Sequence, residues 1–244
     1  MKIKFIIIIF FISNCFAKCN SQQKTMVEKP ATDTIYTWQK GSVDGIGKFY
    51  LGREIAAVMG AAGSAWLERD ERQKEENTDL AISKINIATD GIVADIGAGT
   101  GYYSFKLAAR VPLGKVYAVE IQDEMIPQLN DKKALLKDSI VEVIKGSDVS
   151  PNLSANSIDL AIMVDVYHEL EFPHEMLQAL RTSLKQNGKI LLIEFRGEDP
   201  AVPIKALHKT TVAQLSSEFL ANGFQLSYKG DFLPIQHFLL FEKK

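Results

Sequence analysis

The chain has 244 residues, of which 46% are hydrophobic and 24% charged, and its formal net charge is −2. This length supports one sizeable α/β domain with its own core, and the composition is that of an ordinary globular protein. A charge so near neutral, without a dense run of lysine and arginine, gives no reason to expect a nucleic-acid partner. The two cysteines, Cys15 and Cys19, both lie near the N-terminus, so no disulfide is expected within the rest of the chain.

The N-terminal residues 1–19 have the pattern of an export signal or lipoprotein leader. Two lysines precede an apolar run at 5–12, which is too short to span a bilayer as a mature helix. Cleavage near Ala17 is one expectation, and acylation of Cys19 is the alternative, because a polar tether follows that cysteine. The expected location is therefore outside the cytoplasm, either periplasmic or held to a membrane by a lipid anchor.

Two further segments precede the main domain. Residues 20–39 are polar and rich in threonine, which predicts a linker. Residues 40–90 predict a helical cap, with one helix at 53–59 and a second, highly charged helix at 65–86 that Ser64 can cap. Charged residues of the second helix are expected either to contact a ligand or only to form ion pairs along a solvated helix face.

The most informative stretch is residues 93–104, an apolar strand followed by a glycine turn and the start of a helix. Glycines at 97, 99 and 101 let the backbone bend sharply and let a ligand lie against it. The helix that follows offers free N–H groups and a partial positive charge, so the stretch predicts a nucleotide-cofactor site. Tyr102 stands where a dinucleotide fingerprint requires its third glycine, which disfavours a nicotinamide reductase.

Helices and strands alternate regularly after this turn. In chain order the expected elements are a helix at 103–110, a strand at 115–120, a helix at 123–137, strands at 140–145 and 158–164, a helix at 174–185, a strand at 189–195, a helix at 212–222, and strands at 224–229 and 237–242. Such alternation predicts a doubly wound, parallel α/β sheet. The last two strands have no helix between them, so they are expected to form an antiparallel hairpin.

Acidic residues stand near the ends of the first two strands. Glu120 ends the second strand, where a carboxylate can accept hydrogen bonds from both hydroxyls of a ribose. Asp95 lies in the first strand, and a carboxylate there is costly to bury without a partner. It would suit the ammonium group of a cofactor, directly or through water.

The segment after the fourth strand carries Asp165, Tyr167, His168 and Glu169. No metal site is expected here, because His168 and His174 are six residues apart with a proline between them, unlike the helical zinc signature. His168 and two later histidines, at 208 and 237, are instead expected near one rim of the sheet, where they could accept a proton near neutral pH. Each histidine could equally serve only local hydrogen bonds.

The pattern Asp95-x-Gly97-x-Gly99-x-Gly101, with the elements that follow it, resembles the class I S-adenosylmethionine-dependent methyltransferases. The resemblance covers about residues 92–242 and implies a Rossmann-like methyltransferase domain at 91–244, with a mainly parallel seven-stranded sheet, a C-terminal antiparallel hairpin and an N-terminal helical cap. It implies S-adenosylmethionine as the cofactor. The cofactor-binding residues that it implies are Asp95, Gly97, Gly99, Gly101, Tyr102, Glu120, Asp148 and Asp165.

The same resemblance implies roles for the cap and for the end of the fourth strand. The family's cap closes over the cofactor, and the cap residues expected to matter are Arg53, Trp66, Arg69 and Arg72. The residues nearest the transferred methyl group, and hence the catalytic candidates, are Asp165, Tyr167 and His168. A divalent ion held by Asp165 and Glu194, as in catechol-type methyltransferases, is a minor alternative.

The function implied is transfer of a methyl group from S-adenosylmethionine to an acceptor, expected to be a small molecule, by in-line displacement. The resemblance does not identify the acceptor. A second hypothesis follows from the tension between an export signal and a cytosolic cofactor. In that hypothesis the chain is a non-catalytic, exported protein that binds a small molecule and retains the methyltransferase fold.

Overall fold

The computed structural model describes residues 35–244. The predicted leader at 1–19 and most of the predicted linker lie outside these residues. Within the described part of the chain, no helix combines the length and the apolar character that crossing a bilayer requires.

A small antiparallel sheet opens the described chain. Its strands are β1 (Tyr36–Trp38), β2 (Gly45–Tyr50) and β3 (Arg53–Ala56), paired in that order. The helix predicted at 53–59 is therefore wrong, and β1 lies within the segment 20–39 that the sequence predicts as a linker. The reason is a two-residue turn between β2 and β3, in which Leu51 and Gly52 both have positive φ. This turn joins the two strands as a tight hairpin, and strand pairing outweighs local helix propensity.

The second helix predicted for the cap is interrupted. In its place the chain forms three short helices, α1 (Ser64–Leu67), α2 (Arg72–Glu76) and α3 (Thr78–Ser83). Asn77 adopts a left-handed conformation with φ of 55° between α2 and α3, which ends one helix and starts the next. The segment predicted as a helical cap therefore has strands in its first part and short, interrupted helices in its second.

The main sheet has seven strands, as predicted. They are β4 (Ile92–Ile96), β5 (Lys115–Glu120), β6 (Val141–Lys145), β7 (Ile158–Val164), β8 (Leu184–Phe195), β9 (Phe224–Gly230) and β10 (Gln236–Lys243). Their spatial order is β6-β5-β4-β7-β8-β10-β9. The pairs from β6 to β8 are parallel, and β10 runs antiparallel to both β8 and β9. The doubly wound sheet with its C-terminal antiparallel hairpin is confirmed.

Four longer helices connect these strands. They are α4 (Tyr102–Ala108), α5 (Met125–Leu136), α6 (Pro173–Ser183) and α7 (Val212–Ala221). Successive strand residues point to opposite faces of the sheet, so Leu160 and Ile162 enter one hydrophobic core while Ala161 and Met163 enter the other. The helices α4 and α5 cover the first face, and α6 and α7 cover the second.

The strand order determines where a ligand can lie. β4 lies between β5 and β7, so the chain crosses to one side of β4 before it crosses to the other. In an open parallel sheet this reversal leaves a crevice beyond the carboxyl ends of the central strands. The predicted adjacency of the first and fourth strands of the main sheet is confirmed, with Asp95 opposite Ile162.

Candidate active site

A cavity of about 570 Å³ lies beyond the carboxyl ends of β4, β5, β7 and β8. One end is formed by the glycine turn after β4, and the other contains His168, Glu169 and His208. The N-terminal segment and the long connection after β8 also contribute to its walls, which are mainly apolar.

The glycine turn has the backbone that its sequence predicts. Gly97 and Gly99 have φ of 70° and 56°, a region that side chains with a Cβ rarely adopt. A Cβ at position 97 would lie 2.4 Å from Cγ2 of Val166, so the turn approaches the segment after β7 too closely for any other residue. Both glycines line the cavity. The backbone of the turn is therefore directly available to a ligand.

Gly101 and Tyr102 lie behind the turn. Neither is among the described residues that line the cavity. Gly101, with φ of 77°, precedes α4, and a Cβ there would lie 2.6 Å from Phe105. The Tyr102 hydroxyl is 3.2 Å from Oγ1 of Thr78, and the Arg72 guanidinium lies over the Tyr102 ring. Both residues hold α4 in place, and the structure gives them no direct contact with the cavity.

Glu120 lies at the end of β5, is almost fully buried, and lines the cavity. Its Oε2 accepts a hydrogen bond from the backbone N–H of Gly99 at 2.8 Å. Its Oε1 accepts from the N–H groups of Ile121 and Gln122, both at 2.8 Å. The carboxylate therefore organises the glycine turn as well as facing the cavity. An ionised carboxylate has about four acceptor sites, so one remains for a ligand hydroxyl.

Asp95 is buried below the turn, and its carboxylate does not line the cavity. Its Oδ2 accepts a hydrogen bond from the hydroxyl of Ser104 at 2.6 Å. Burial raises the pKa of Asp95 to about 6, and the bond from Ser104 opposes this shift. Ser104 is the partner that the sequence analysis did not identify. The sequence feature that points to Ser104 is its position in the first turn of the helix that follows the glycines. A direct contact between Asp95 and a cofactor ammonium group stays a prediction.

Asp148 and Asp165 both line the cavity, in different environments. Asp148 follows β6 and is exposed. Asp165 follows β7 with φ of 52°, and its Oδ2 accepts a hydrogen bond from Nε2 of Gln236 at 2.7 Å. Within the described chain, the buried Oδ1 of Asp165 has no hydrogen-bond partner. Burial, followed by the charges of Glu76 and Glu194, raises the pKa of Asp165 well above its ordinary value.

His168 is buried at the floor of the cavity and bonds on both ring nitrogens. Nδ1 donates to Oε2 of Glu194 at 2.6 Å, and Nε2 lies 3.1 Å from Nδ1 of His208. Oε1 of Glu169 lies 3.7 Å from Nε2 of His168 and 3.3 Å from Nδ1 of His208. Glu194 ends β8, and it also accepts a hydrogen bond from the backbone N–H of Tyr167.

The charges around His168 determine its protonation. Burial lowers the pKa of His168, but Glu194 and Glu169 outweigh this effect and raise the pKa to about 10. Such an imidazole carries its proton near neutral pH and cannot accept another, so this arrangement does not favour the predicted general-base role. The pKa of Glu169 is correspondingly lowered to about 2, because the two histidines outweigh its burial.

Tyr167 points away from the cavity. It is fully buried, and its hydroxyl donates to Oε2 of Glu218 at 2.7 Å. Arg53 forms two hydrogen bonds with the same carboxylate, at 2.7 and 2.8 Å, and a third with the backbone carbonyl of His168 at 3.2 Å. Tyr167 and Arg53 therefore support the turn that carries His168, and the structure gives neither of them a place in the cavity lining.

The remaining cap arginines form ion pairs, which is the alternative left open by the sequence. Arg69 pairs with Glu75 and Glu76, and Arg72 pairs with Glu76. Glu76 and Arg72 are buried, so this is a buried cluster and not a solvated helix face. Trp66 does line the cavity, with the Arg69 guanidinium 3.8 Å from its ring centre.

The histidines are only partly brought together. His208 meets His168 across a sequence separation of 40 residues. His237 instead pairs with Glu198, with Nε2 at 2.9 Å from the carboxylate, and is not among the described residues lining the cavity. His174 lies in the first turn of α6, outside this cluster. The sequence predicts His168, His208 and His237 near one rim of the sheet; the structure brings the first two together with Glu169, whose place in the group was not predicted.

Comparisons with known proteins agree with this geometry. A methyltransferase domain family matches residues 94–192. A tRNA U34 carboxymethyltransferase of Helicobacter pylori (strain G27) is 29% identical over 135 residues, covering 53% of this chain and 50% of that protein. A ubiquinone/menaquinone biosynthesis C-methyltransferase of Syntrophotalea carbinolica is 26% identical over 126 residues, covering 52% of each chain. The chain thus spans about half the length of the curated relatives it matches.

A solved structure extends the likeness over more of the chain. The crystal structure of a SAM-dependent methyltransferase from Aquifex aeolicus superposes with a TM-score of 0.72 at 20% identity, covering 77% of this chain and 100% of that chain. At this identity the likeness concerns the fold. Residues 94–192 therefore match a methyltransferase domain, the fold around them is one found in SAM-dependent methyltransferases, and the findings together support S-adenosylmethionine as the cofactor.

Proposed function

We propose that this protein is an S-adenosylmethionine-dependent methyltransferase that acts on a small-molecule acceptor. The observation that carries the proposal is the single cavity that joins the glycine turn and Glu120 at one end to His168, Glu169 and His208 at the other. A nucleotide cofactor suits the first end, and a polar acceptor suits the second. Methyl transfer requires that the two bound molecules meet in one enclosed space.

The proposal assigns each part of the cofactor to residues at the first end of the cavity. The backbone of Gly97 and Gly99 leaves room for the methionine part, and Glu120 can accept from a ribose hydroxyl. Gln122 and Asp148 lie along the cavity wall beyond β5 and β6, where the adenine base would follow the ribose. Asp165 has a buried carboxylate oxygen without a partner among residues 35–244, and it is suited to a cationic or hydroxyl group of the cofactor or the acceptor.

The proposed reaction needs no covalent bond to the protein. A nucleophilic atom of the acceptor attacks the methyl carbon in line with the carbon–sulfur bond, that bond breaks, and the positive charge of the sulfonium disperses. Alignment of the two molecules and exclusion of water therefore supply much of the rate. The mainly apolar walls of the cavity suit this task.

A small molecule is the acceptor class that the cavity favours. Its volume of about 570 Å³ falls within the range of roughly 300–1,000 Å³ usual for small-ligand sites, and the cofactor must share it. The two curated relatives act, by their names, on a tRNA and in quinone biosynthesis. The net charge of −2 gives this chain no general attraction for a nucleic acid.

Isothermal titration of the full chain with S-adenosylmethionine, S-adenosylhomocysteine and NADH tests the cofactor. We expect the first two to bind and NADH not to bind. Gly99→Val should abolish binding, because φ there is 56° and a Cβ would lie 2.8 Å from Leu67. Gly60→Val is the matched control, since a Cβ at position 60 would meet no atom of the described residues within 4 Å. Equal affinity of the Gly99→Val variant and the unaltered protein would contradict the proposed site.

A transfer assay tests the reaction. The protein is incubated with methyl-labelled S-adenosylmethionine and separate pools of small metabolites, protein and RNA. We expect label in the small-molecule pool. Label in RNA would overturn the acceptor class. Binding of the cofactor without transfer to any pool would favour the alternative of a non-catalytic binding protein.

A further inference from the structure

Three side-chain atoms in the cavity form a small triangle. They are Nε2 of His168, Nδ1 of His208 and Oε1 of Glu169, and their separations are 3.1, 3.3 and 3.7 Å. In a tetrahedral metal site with bonds of about 2.0–2.1 Å, neighbouring donor atoms lie about 3.3–3.4 Å apart. The three observed separations bracket this value.

The three contacts of the triangle cannot all be hydrogen bonds in a single protonation state. A proton on Nε2 of His168 can be donated to Nδ1 of His208, but Nδ1 then has no proton to offer Glu169. If Nδ1 of His208 instead carries a proton and donates it to Glu169, that N–H faces the N–H on Nε2 of His168, and the two rings cannot hydrogen-bond to each other. One cation at the centre of the triangle, by contrast, interacts with all three atoms at once.

The surroundings of His168 are those of a metal-bound imidazole. Nδ1 donates to the fully buried carboxylate of Glu194 at 2.6 Å, which holds the ring in one orientation, and a metal ion bound at Nε2 would replace the proton on that nitrogen. Histidines that bind metals almost always donate their other ring N–H to a carboxylate or carbonyl in this way. The Arg53 guanidinium further fixes the turn through the carbonyl of His168.

We propose that His168, Glu169 and His208 bind a divalent transition-metal ion of the zinc type, with an open coordination position facing the cavity. Two imidazoles and one carboxylate suit such ions, whereas Mg²⁺ and Ca²⁺ prefer sets made of oxygen atoms. All three residues line the cavity, and His208 is partly exposed to solvent.

The open position indicates the class of acceptor, a step that rests on the proposed methyltransferase function. A metal ion lowers the pKa of a bound hydroxyl or thiol. The O–H or S–H proton passes to water, the oxygen or sulfur attacks the methyl carbon, and the carbon–sulfur bond of the sulfonium breaks. The products are the methylated acceptor and S-adenosylhomocysteine. We therefore infer that the acceptor carries a hydroxyl or thiol that binds the metal ion.

Titration of the chelator-treated full chain with Co²⁺ and Zn²⁺ tests the metal site without reference to activity. We expect one equivalent of Co²⁺ to bind with visible absorption typical of low coordination, and Zn²⁺ to displace it. Mg²⁺ should not compete. Glu169→Gln preserves the shape of the side chain and should weaken binding by more than about 100-fold. Glu194→Gln, one shell further out, should weaken it by roughly 10–100-fold.

His174→Ala is the matched control, because this histidine lies outside the cluster and should leave metal binding unchanged. Circular dichroism checks that each variant is folded. Stoichiometric binding that survives both Glu169→Gln and His208→Ala, or no binding of Co²⁺ or Zn²⁺ to the unaltered protein, would overturn the proposal. Titration with S-adenosylmethionine on the same samples keeps the two proposals apart, since the cofactor should bind with or without the metal ion.

Discussion

Glu120 offers the sharpest test of how the glycine turn is built. Its carboxylate accepts three hydrogen bonds, one from the backbone N–H of each of Gly99, Ile121 and Gln122. In Glu120→Gln the amide oxygen can still accept from the latter pair, but the amide nitrogen then faces the N–H of Gly99. One bond to a charged acceptor is lost, which costs about 1.5–3 kcal/mol. We expect the free energy of unfolding to fall by that amount.

The same change should weaken S-adenosylmethionine binding by about 10- to 100-fold, because the ribose hydroxyl then meets a neutral acceptor in place of a charged one and each 1.4 kcal/mol lost corresponds to a factor of ten. Urea unfolding and isothermal titration measure the two effects. Glu124→Gln makes the same chemical change at an exposed position four residues later and should alter neither. Wild-type stability and affinity in Glu120→Gln would refute the reasoning. A loss of stability at unchanged affinity would assign Glu120 to the fold alone.

Three further predictions follow from the burial of charge and from the sequence. Arg53→Ala leaves the buried Glu218 carboxylate without its cation and should lower the free energy of unfolding, measured in urea, by about 3–5 kcal/mol. Removing Glu218 as well should restore part of the lost stability, and fully additive effects of the two substitutions would contradict the pairing. The pKa of Asp95 in the folded protein is about 6, above its unfolded value, so the native state binds more protons between about pH 4 and pH 6 and this contribution to stability is lost as pH rises. Asp95→Asn should therefore lose less stability than the unaltered protein over that range. An unchanged dependence of the unfolding free energy on pH would argue against the shift. The leader should be cut near Ala17 or acylated at Cys19, and an intact mass of the uncut chain from the native host would contradict export.

The main sheet was predictable because its signals are local. The apolar run of β7 and the Asp95-to-Gly101 turn each lie within a few residues, and burial on both sides leaves little choice of structure. The segment at 53–56 was not predictable in this way. Its helix-compatible residues form a strand only because β2 is present to pair with them through a tight turn.

The residues of the candidate site also divide into those that a local sequence pattern predicts and those that depend on distant parts of the chain. Gly97, Gly99 and Glu120 are identified by one motif and its spacing, and the structure brings them to one cavity. The contact between His168 and His208 bridges 40 residues and depends on the path of an irregular connection after β8. The support of His168 by Glu194 depends on the register of two parallel strands, which no short pattern encodes.

The hydrogen bonds of Arg53 bear on where the folding unit begins. Its guanidinium joins the small N-terminal sheet to Glu218 of α7 and to the carbonyl of His168. The matched methyltransferase domain starts at residue 94, so it does not include Arg53 or the hydrogen bonds that Arg53 makes. A fragment cut at that boundary would expose the buried acid and loosen the turn beneath the cavity. The smallest autonomous piece of this protein should therefore include the sheet that begins at Tyr36.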